Sequence, residues 1–259
     1  MVEPVRVSSR DNPLLVRLRR LTRGPGDYRK FGAVWLEGEH LCSALRARGR
    51  VAAQALISDS AWQQPALRAL AYWAPNVVRV PDPLFASISS LASPAGIGFV
   101  MEAAPARSLR SGVATVVLDR VQDAGNVGSI LRSAAALGFT QVAAIAGSAA
   151  LWSPKVLRAG MGAHFALDLA EGVASTELDT LGLPLLAGSS HASVSLGEAL
   201  VPFPCVWIFG NEGQGVAQEL LDRCSQTLRI PQPGGEESLN VAAAAAICLY
   251  ATRRAGASP

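Results

Sequence analysis

Apolar residues fall along this chain of 259 residues in short, nearly unbroken runs that alternate with amphipathic stretches. The short runs have the length of buried strands, and the stretches with apolar positions three and four apart have the period of helices. Before residue 105 the pattern predicts strands at 33–37, 53–58, 77–80 and 97–102, with helices at 40–47, 65–73 and 83–91. Beyond residue 112 it predicts strands at 114–118, 141–146, 165–169, 185–187, 205–209 and 227–230, with helices near 127–137, 154–159, 217–223 and 239–254. Such alternation defines an α/β protein, and strands apolar on both faces point to a parallel sheet covered on both sides. The stretch 105–112, rich in small residues and carrying a proline, reads as a linker between a small α/β domain at 1–104 and a second domain at 113–259.

Charge sharpens that division. The formal net charge is only +3, yet residues 1–110 carry 15 basic and 8 acidic side chains, against 8 and 12 in the remainder. A net of +7 thus faces a net of −4. All the basic residues but Lys30 and Lys155 are arginine, the side chain best suited to bidentate phosphate contact, although a GC-rich genome produces the same bias. Arg6, Arg10, Arg17, Arg19, Arg20, Arg23, Arg29 and Lys30 crowd one stretch, which is either a solvated helix face or a surface for a polyanion.

The four cysteines and three histidines are scattered without metal-ligand spacing, so neither a metal site nor a disulfide framework is expected. The mean hydropathy of +0.27 raises the question of membrane spans. The most apolar stretch, 241–250, is about half of the ~20 residues a span requires, and the N-terminal sequence has no signal-like apolar run. A soluble protein of the reducing cytoplasm is expected.

Chemistry concentrates in three loops, each after a predicted strand, where ligands of parallel α/β sheets bind. The first, 119–134, offers Asp123 or Asn126 as a helix cap, Gly125 and Gly128 for close backbone approach, and Arg132 further along the helix. The second, Gly210-Asn211-Glu212-Gly213-Gln214-Gly215, demands positive φ or a closely packed ligand, and Glu212 reads as either a site carboxylate or a cap for the helix near Val216. In the third, 231–241, Ser238 reads as the N-cap of the last helix, with Asn240 in its first turn. No G-x-G-x-x-G or P-loop sequence occurs, which disfavours a dinucleotide-dependent dehydrogenase.

Taken in order, these loops resemble the SpoU (TrmH-like) branch of the SPOUT RNA 2′-O-ribose methyltransferases. Residues 123–134 match the strand-D-P-x-N-x-G-x-x-x-R-x-A motif, 210–215 match G-N-E-x-x-G, and 230–241 match I-P-M-x-G-x-x-x-S-L-N-V. Residues 153–163 match the family's S-P-K-x-x-R-x-x-x-G-A segment. Ala124, Gln232 and Ala242 depart from the usual proline, methionine and serine without removing a polar group assigned to chemistry. More weakly, residues 8–13 and 35–38 resemble the family's small L30e-like RNA-binding domain.

The resemblance implies a parallel sheet closed by a C-terminal trefoil knot, S-adenosyl-L-methionine as cofactor, and a homodimer formed through the methyltransferase domain, with no metal and no membrane. It implies catalytic roles for Arg132, Asn126, Glu212, Ser238 and Asn240. It places the cofactor on Gly188, Phe209, Gly210, Asn211, Gly215, Ile230, Pro231, Ser238, Leu239 and Asn240, and RNA on Arg10, Arg17, Arg19, Arg20, Arg29, Lys30 and Arg132. Arg132 is either a general base, which a guanidinium is ill suited to be, or an electrostatic clamp. Large-subunit (23S) ribosomal RNA is the favoured substrate, with tRNA as the alternative and a non-catalytic RNA-binding factor as a further one.

Overall fold

In the computed structural model, which describes residues 3–103, 108–235 and 238–255, the chain forms two compact units. The first takes described residues up to 103 together with 152–165, and the second takes 108–151 with 166–255.

The first unit contains β1 (Val5–Arg6), α1 (Pro13–Arg23), α2 (Asp27–Phe31), β2 (Ala33–Glu37), α3 (Glu39–Ala47), β3 (Gln54–Ser58), α4 (Asp59–Trp62), α5 (Pro65–Ala71), β4 (Val77–Val80), α6 (Asp82–Ile88) and β5 (Ile97–Glu102). Its sheet runs β1-β4-β3-β5-β2, with β1, β4 and β3 mutually parallel and β5 antiparallel to both of its neighbours. Helix α1 is absent from the pattern read above. Asn12 caps it by accepting from the Leu14 N–H at 3.0 Å, and Pro13 fills its first turn. Leu15, Leu18 and Leu21 form its buried seam, but the interleaved arginines hide that spacing in a hydrophobicity reading.

The second unit contains β6 (Thr115–Asp119), α7 (Ala124–Ala136), β7 (Gln141–Ile145), β8 (Asp168–Val173), β9 (Leu185–Gly188), β10 (Val194–Ser195), β11 (Val206–Gly210), α9 (Gln218–Leu221), β12 (Gln226–Arg229) and α10 (Val241–Ala255). Helix α8 (Pro154–Gly160) lies between β7 and β8 in the chain but belongs to the first unit. The sheet is parallel throughout, in the order β10-β12-β9-β11-β6-β7-β8. One face packs Val117, Ala143, Ala187, Val206 and Ile208 against Leu178, Leu181 and Leu220. On the sheet, fully buried Trp207 stacks on Phe209 with ring centroids 5.8 Å apart and ring planes nearly parallel, and its Nε1 donates to Thr252 Oγ1 of α10 at 2.9 Å.

Three sequence expectations are corrected. The strand read at 165–169 begins at Asp168, because left-handed Met161 and Gly162 lead into a 3-10 turn at Ala163–Ala166, and a bulge beside Gly172 interrupts the strand's alternation. Residues 152–165, assigned above to the second domain, pack with the first unit: His40 Nε2 meets the Met161 carbonyl at 3.2 Å. Of the linker read at 105–112, residues 105–107 lie outside the described residues, as does Ala104. The rest is not free chain. The Arg110 N–H donates to Gln141 Oε1 at 2.9 Å, the Arg110 guanidinium pairs with Asp168, and the Gly112 N–H donates to the Leu181 carbonyl. Among the described residues no helix is long and apolar enough to cross a membrane, and all four cysteines are unpaired.

Thr252 both accepts from Trp207 and donates to the Cys248 carbonyl at 2.8 Å, in a wholly buried position. Thr252→Val keeps the shape and strands the indole N–H, so it is expected to lower unfolding free energy by about 1–3 kcal/mol in urea titrations.

Candidate active site

A parallel sheet brings the carboxyl ends of its strands to one edge. The loops after β6, β11 and β12 therefore converge, and one chain of side-chain hydrogen bonds joins them. Glu212, from the loop after β11, accepts from the Gln122 N–H at 3.3 Å, the Asp123 N–H at 3.2 Å and Asn126 Nδ2 at 3.1 Å. Asn126 Oδ1 accepts from Asn240 Nδ2 at 2.9 Å. Asn240 Oδ1 accepts from the Ala242 and Ala243 N–H groups at 2.9 and 3.3 Å.

This relay settles each candidate's local role. Asp123 caps α7, accepting from the Asn126 N–H at 2.8 Å. Asn240 is the residue that caps α10, which corrects the assignment of that cap to Ser238 and of Asn240 to the first turn. Glu212 does not cap α9, whose first residues lie beyond a cap at Ala217 without a side-chain bond. Partial burial pushes the Glu212 carboxyl upward, but the bonds from Asn126, its own amide, Asp123 and Gln122 outweigh that and hold it below its ordinary range. Glu212 is thus an ionised anchor and a weak base. In the S-P-K segment, Ser153 caps α8 by accepting from the Val156 N–H, with Pro154 in the first turn.

Below the relay lies a cavity of about 990 Å³. Its apolar floor includes Phe209, Leu228 and Cys248, and its rim includes Glu212, Ser238 and Asn240. Of the cofactor candidates, Gly188, Phe209, Gly210, Asn211, Gly215, Ile230, Ser238, Leu239 and Asn240 line it; Pro231 does not. Gly210 cannot carry a side chain, because a Cβ there would run into the backbone of Gly215 and Val216, and Gly215 turns at φ 67°. Asn211 organises the same turn by accepting from the Gly213 and Gln214 N–H groups, each at 3.0 Å.

Sequence reading missed the lining residues Ser189, Ser190 and His191, on the loop after β9, together with Gln214 and Gln232. The carboxyl-end rule, applied to β9 as it was to the other strands, is the signal that finds the first three.

Arg132 stands apart. It is exposed on α7, does not line the cavity, and makes no hydrogen bond or ion pair among the described residues. The basic candidates of the first unit also divide. Arg10, Arg20, Arg29 and Lys30 are exposed, although Arg29 lies 4.9 Å over the Tyr28 ring and Lys30 lies 3.5 Å from Asp27. Arg17 donates to the Phe31 carbonyl at 2.7 Å and Arg19 to the Arg10 carbonyl at 2.5 Å, so both brace the fold. No group of three or more His, Cys, Asp or Glu side chains is placed to hold a metal among the described residues.

This arrangement, a parallel sheet with an amide relay beside a cavity at its carboxyl edge, is that of a small-molecule binding site. Residues 114–250 match the SpoU rRNA methylase family model, and the chain belongs to that family. It is 33% identical to an uncharacterized tRNA/rRNA methyltransferase of Synechocystis, over 96% of this chain and 93% of that one. It is 30% identical to the 23S rRNA (guanosine(2553)-2′-O)-methyltransferase RlmP of Bacillus subtilis, over 86% of this chain and 90% of the relative. Among solved structures, an AdoMet-bound rRNA methyltransferase from Sinorhizobium meliloti superposes with a TM-score of 0.82 at 26% identity, covering 96% of this chain and 97% of that one.

Glu212 has a depressed carboxyl pKa in the folded chain, so its contribution to stability is complete above its ordinary value near 4.5 and is lost as pH falls through the folded value. Glu212→Gln, which accepts through one oxygen only, is therefore expected to melt lower than the parent at neutral pH. The gap should narrow as pH falls from the ordinary carboxyl value of 4.5 through the lower folded value, when melting temperature is followed against pH.

Proposed function

We propose that this protein transfers the methyl group of S-adenosyl-L-methionine to a ribose 2′-oxygen of RNA, and that large-subunit rRNA is the substrate. The observation that carries the reading is the Glu212–Asn126–Asn240 relay closing three loops of the family's motifs over one cavity. The cavity fits the cofactor: its volume and apolar floor suit an adenosine moiety, and its rim supplies polar side chains. Gly210, Asn211, Gly215, Ile230, Ser238, Leu239 and Asn240 would hold it, with Gly188 and Phe209 beneath. When bound, the cofactor supplies an electrophilic methyl group on a sulfonium centre.

The chain's own residues then orient and exclude. Asn126 and Asn240, locked in one rotamer each, fix the ribose-facing edge of the site, and Glu212 holds Asn126 rather than taking a proton. Arg132, an exposed cation on the helix that Asn126 begins, suits a substrate phosphate and the charge that develops on the attacking oxygen. The electrostatic role is therefore preferred over that of a base.

Several finer features belong to the same reading. A trefoil knot is supported by the path of the chain: β12 lies outside β9, yet α10 returns to pack on α7 and β11. An L30e-like RNA-binding role for the first unit is supported by its mixed sheet and by exposed Arg10, Arg20, Arg29 and Lys30. A homodimer is supported by Ala243, Ile247 and Tyr250, an exposed stripe at helical spacing on α10, of which Tyr250 is 60% exposed. A cytoplasmic setting accords with the unpaired cysteines.

Incubation with methyl-labelled S-adenosyl-L-methionine and separated rRNA and tRNA is expected to label a ribose 2′-oxygen of the large-subunit RNA. Label on tRNA alone would move the substrate, and no label on either would overturn the enzyme reading. Arg132→Ala is expected to retain cofactor affinity while turnover falls by about 10²–10³-fold, the usual cost of removing one oxyanion-stabilising group. RNA affinity, measured against salt, is expected to fall with a log–log slope of about −0.7 to −0.9 per phosphate contacted. Substituting Arg10, Arg20 and Arg29 together should flatten that slope.

A further inference from the structure

Strand β6 ends at Asp119, and the next residue, Arg120, sits in the left-handed region at φ 57°. That conformation is unfavourable for a residue with a Cβ and persists only where its surroundings impose it. Here the surroundings are specific. Arg120 grips its own neighbour, with Nε 2.8 Å from Asp119 Oδ1 and Nη2 3.0 Å from Oδ2. Asp119 is only 2% exposed, and its Oδ2 also accepts from the Ala217 N–H at 2.7 Å. Arg120 Nη1 donates to Gln214 Oε1 at 3.0 Å. The left-handed turn aims the Arg120 carbonyl at Asn211 Nδ2, 3.0 Å away. Gly147 makes room for the arginine stem, since a Cβ there would lie 3.2 Å from Arg120 Cγ.

Two adjacent residues therefore hold the loop after β11 at its start, middle and end. A buried carboxylate and a strained arginine are costly components for a surface turn. Gln214 lines the cavity. With Oε1 committed to Arg120, the end of its amide left to meet a bound molecule is the Nε2 donor.

We infer that Asp119 and Arg120 are positioning residues that hold the 211–217 loop in its cofactor-receiving shape, and that Gln214, oriented by Arg120, donates its amide N–H to the bound S-adenosyl-L-methionine. This rests on the methyltransferase reading above.

Arg120→Gly tests it, because glycine accepts the left-handed backbone while the guanidinium is removed together with its stem. In calorimetric titration with S-adenosyl-L-methionine, carried out well below the variant's melting temperature, the Kd is expected to rise by about 10-fold or more, the usual effect of losing a charge-assisted bond, and the melting temperature is expected to fall because buried Asp119 loses its counter-charge. In the ligand-free protein, amide hydrogen exchange across 211–217 should quicken. Gln214→Glu keeps a partner for Arg120 and replaces the donor with an acceptor, so it should preserve the loop's protection and still weaken binding. A wild-type Kd and wild-type exchange in Arg120→Gly would overturn the brace. Wild-type Kd values in both Gln214→Glu and Gln214→Ala would overturn the donor role of Gln214, and, should Arg120→Gly not fold, wild-type Kd and exchange in Arg120→Lys would overturn the brace. Failure of the unsubstituted protein to bind S-adenosyl-L-methionine would instead overturn the methyltransferase reading.

Discussion

The site depends on a hydrogen-bond chain whose direction is forced at both ends. A carboxylate can only accept, so Asn126 must turn its NH₂ toward Glu212. That leaves the Asn126 oxygen to accept, and Asn240 must turn its own NH₂ toward it. The Asn240 oxygen is then left for the N–H groups at the start of α10, which can only donate. Each amide has one orientation compatible with its neighbours, and the loops after β6, β11 and β12 are locked in mutual register by it. An aspartate at 126 would set a second negative charge beside Glu212 and lose the donor, which is why an amide and not an acid suits the centre of the chain.

The parallel sheet is what allows three such distant segments to meet. Strands β6 and β11 are neighbours in register from Thr115 opposite Val206 to Asp119 opposite Gly210, so their following loops leave the sheet side by side. Strand β12 lies two positions away, and Asn240 reaches the others because α10 folds back over β11 and α7. The Trp207–Thr252 bond anchors that return from within the core. Packing in the sheet thus determines where the helix cap falls, and the helix cap is itself a member of the relay.

Most strands, and the three loops that carry the relay, were legible in the sequence, because apolar runs mark buried strands and the polar groups follow them directly. What was not legible depends on geometry that spacing does not encode. Helix α1 was hidden because arginines interrupt a leucine seam whose burial comes from tertiary packing. Strand β8 was misplaced because the glycines at 162 and 172 alter the backbone, not the hydrophobicity. Glu212 was left between a site carboxylate and a local cap, since the partner that decides its position, Asn126, lies 86 residues away. Arg120 went unread for a related reason: a positive φ at a non-glycine residue leaves no mark in a hydrophobic pattern, although it directs a carbonyl and a guanidinium to two points on one loop.

Arg132 and Asn126 sit on the same helix but in different surroundings. Asn126 lies in the first turn of α7 and belongs to the relay, whereas Arg132 is about 9 Å further along the axis at 1.5 Å per residue and faces solvent. A cation buried against the cofactor cavity would repel a sulfonium and would need a counter-charge to remain there. Held outside, it leaves the cavity to polar and apolar groups and stays available to a polyanion arriving from solvent. The substrate's own phosphate can then supply the counter-charge, so the strongest electrostatic contact forms only when RNA is in place. On the proposed reading, one rigid helix carries both Asn126, at the ribose-facing edge of the site, and Arg132 about 9 Å further along, and so fixes the distance between them.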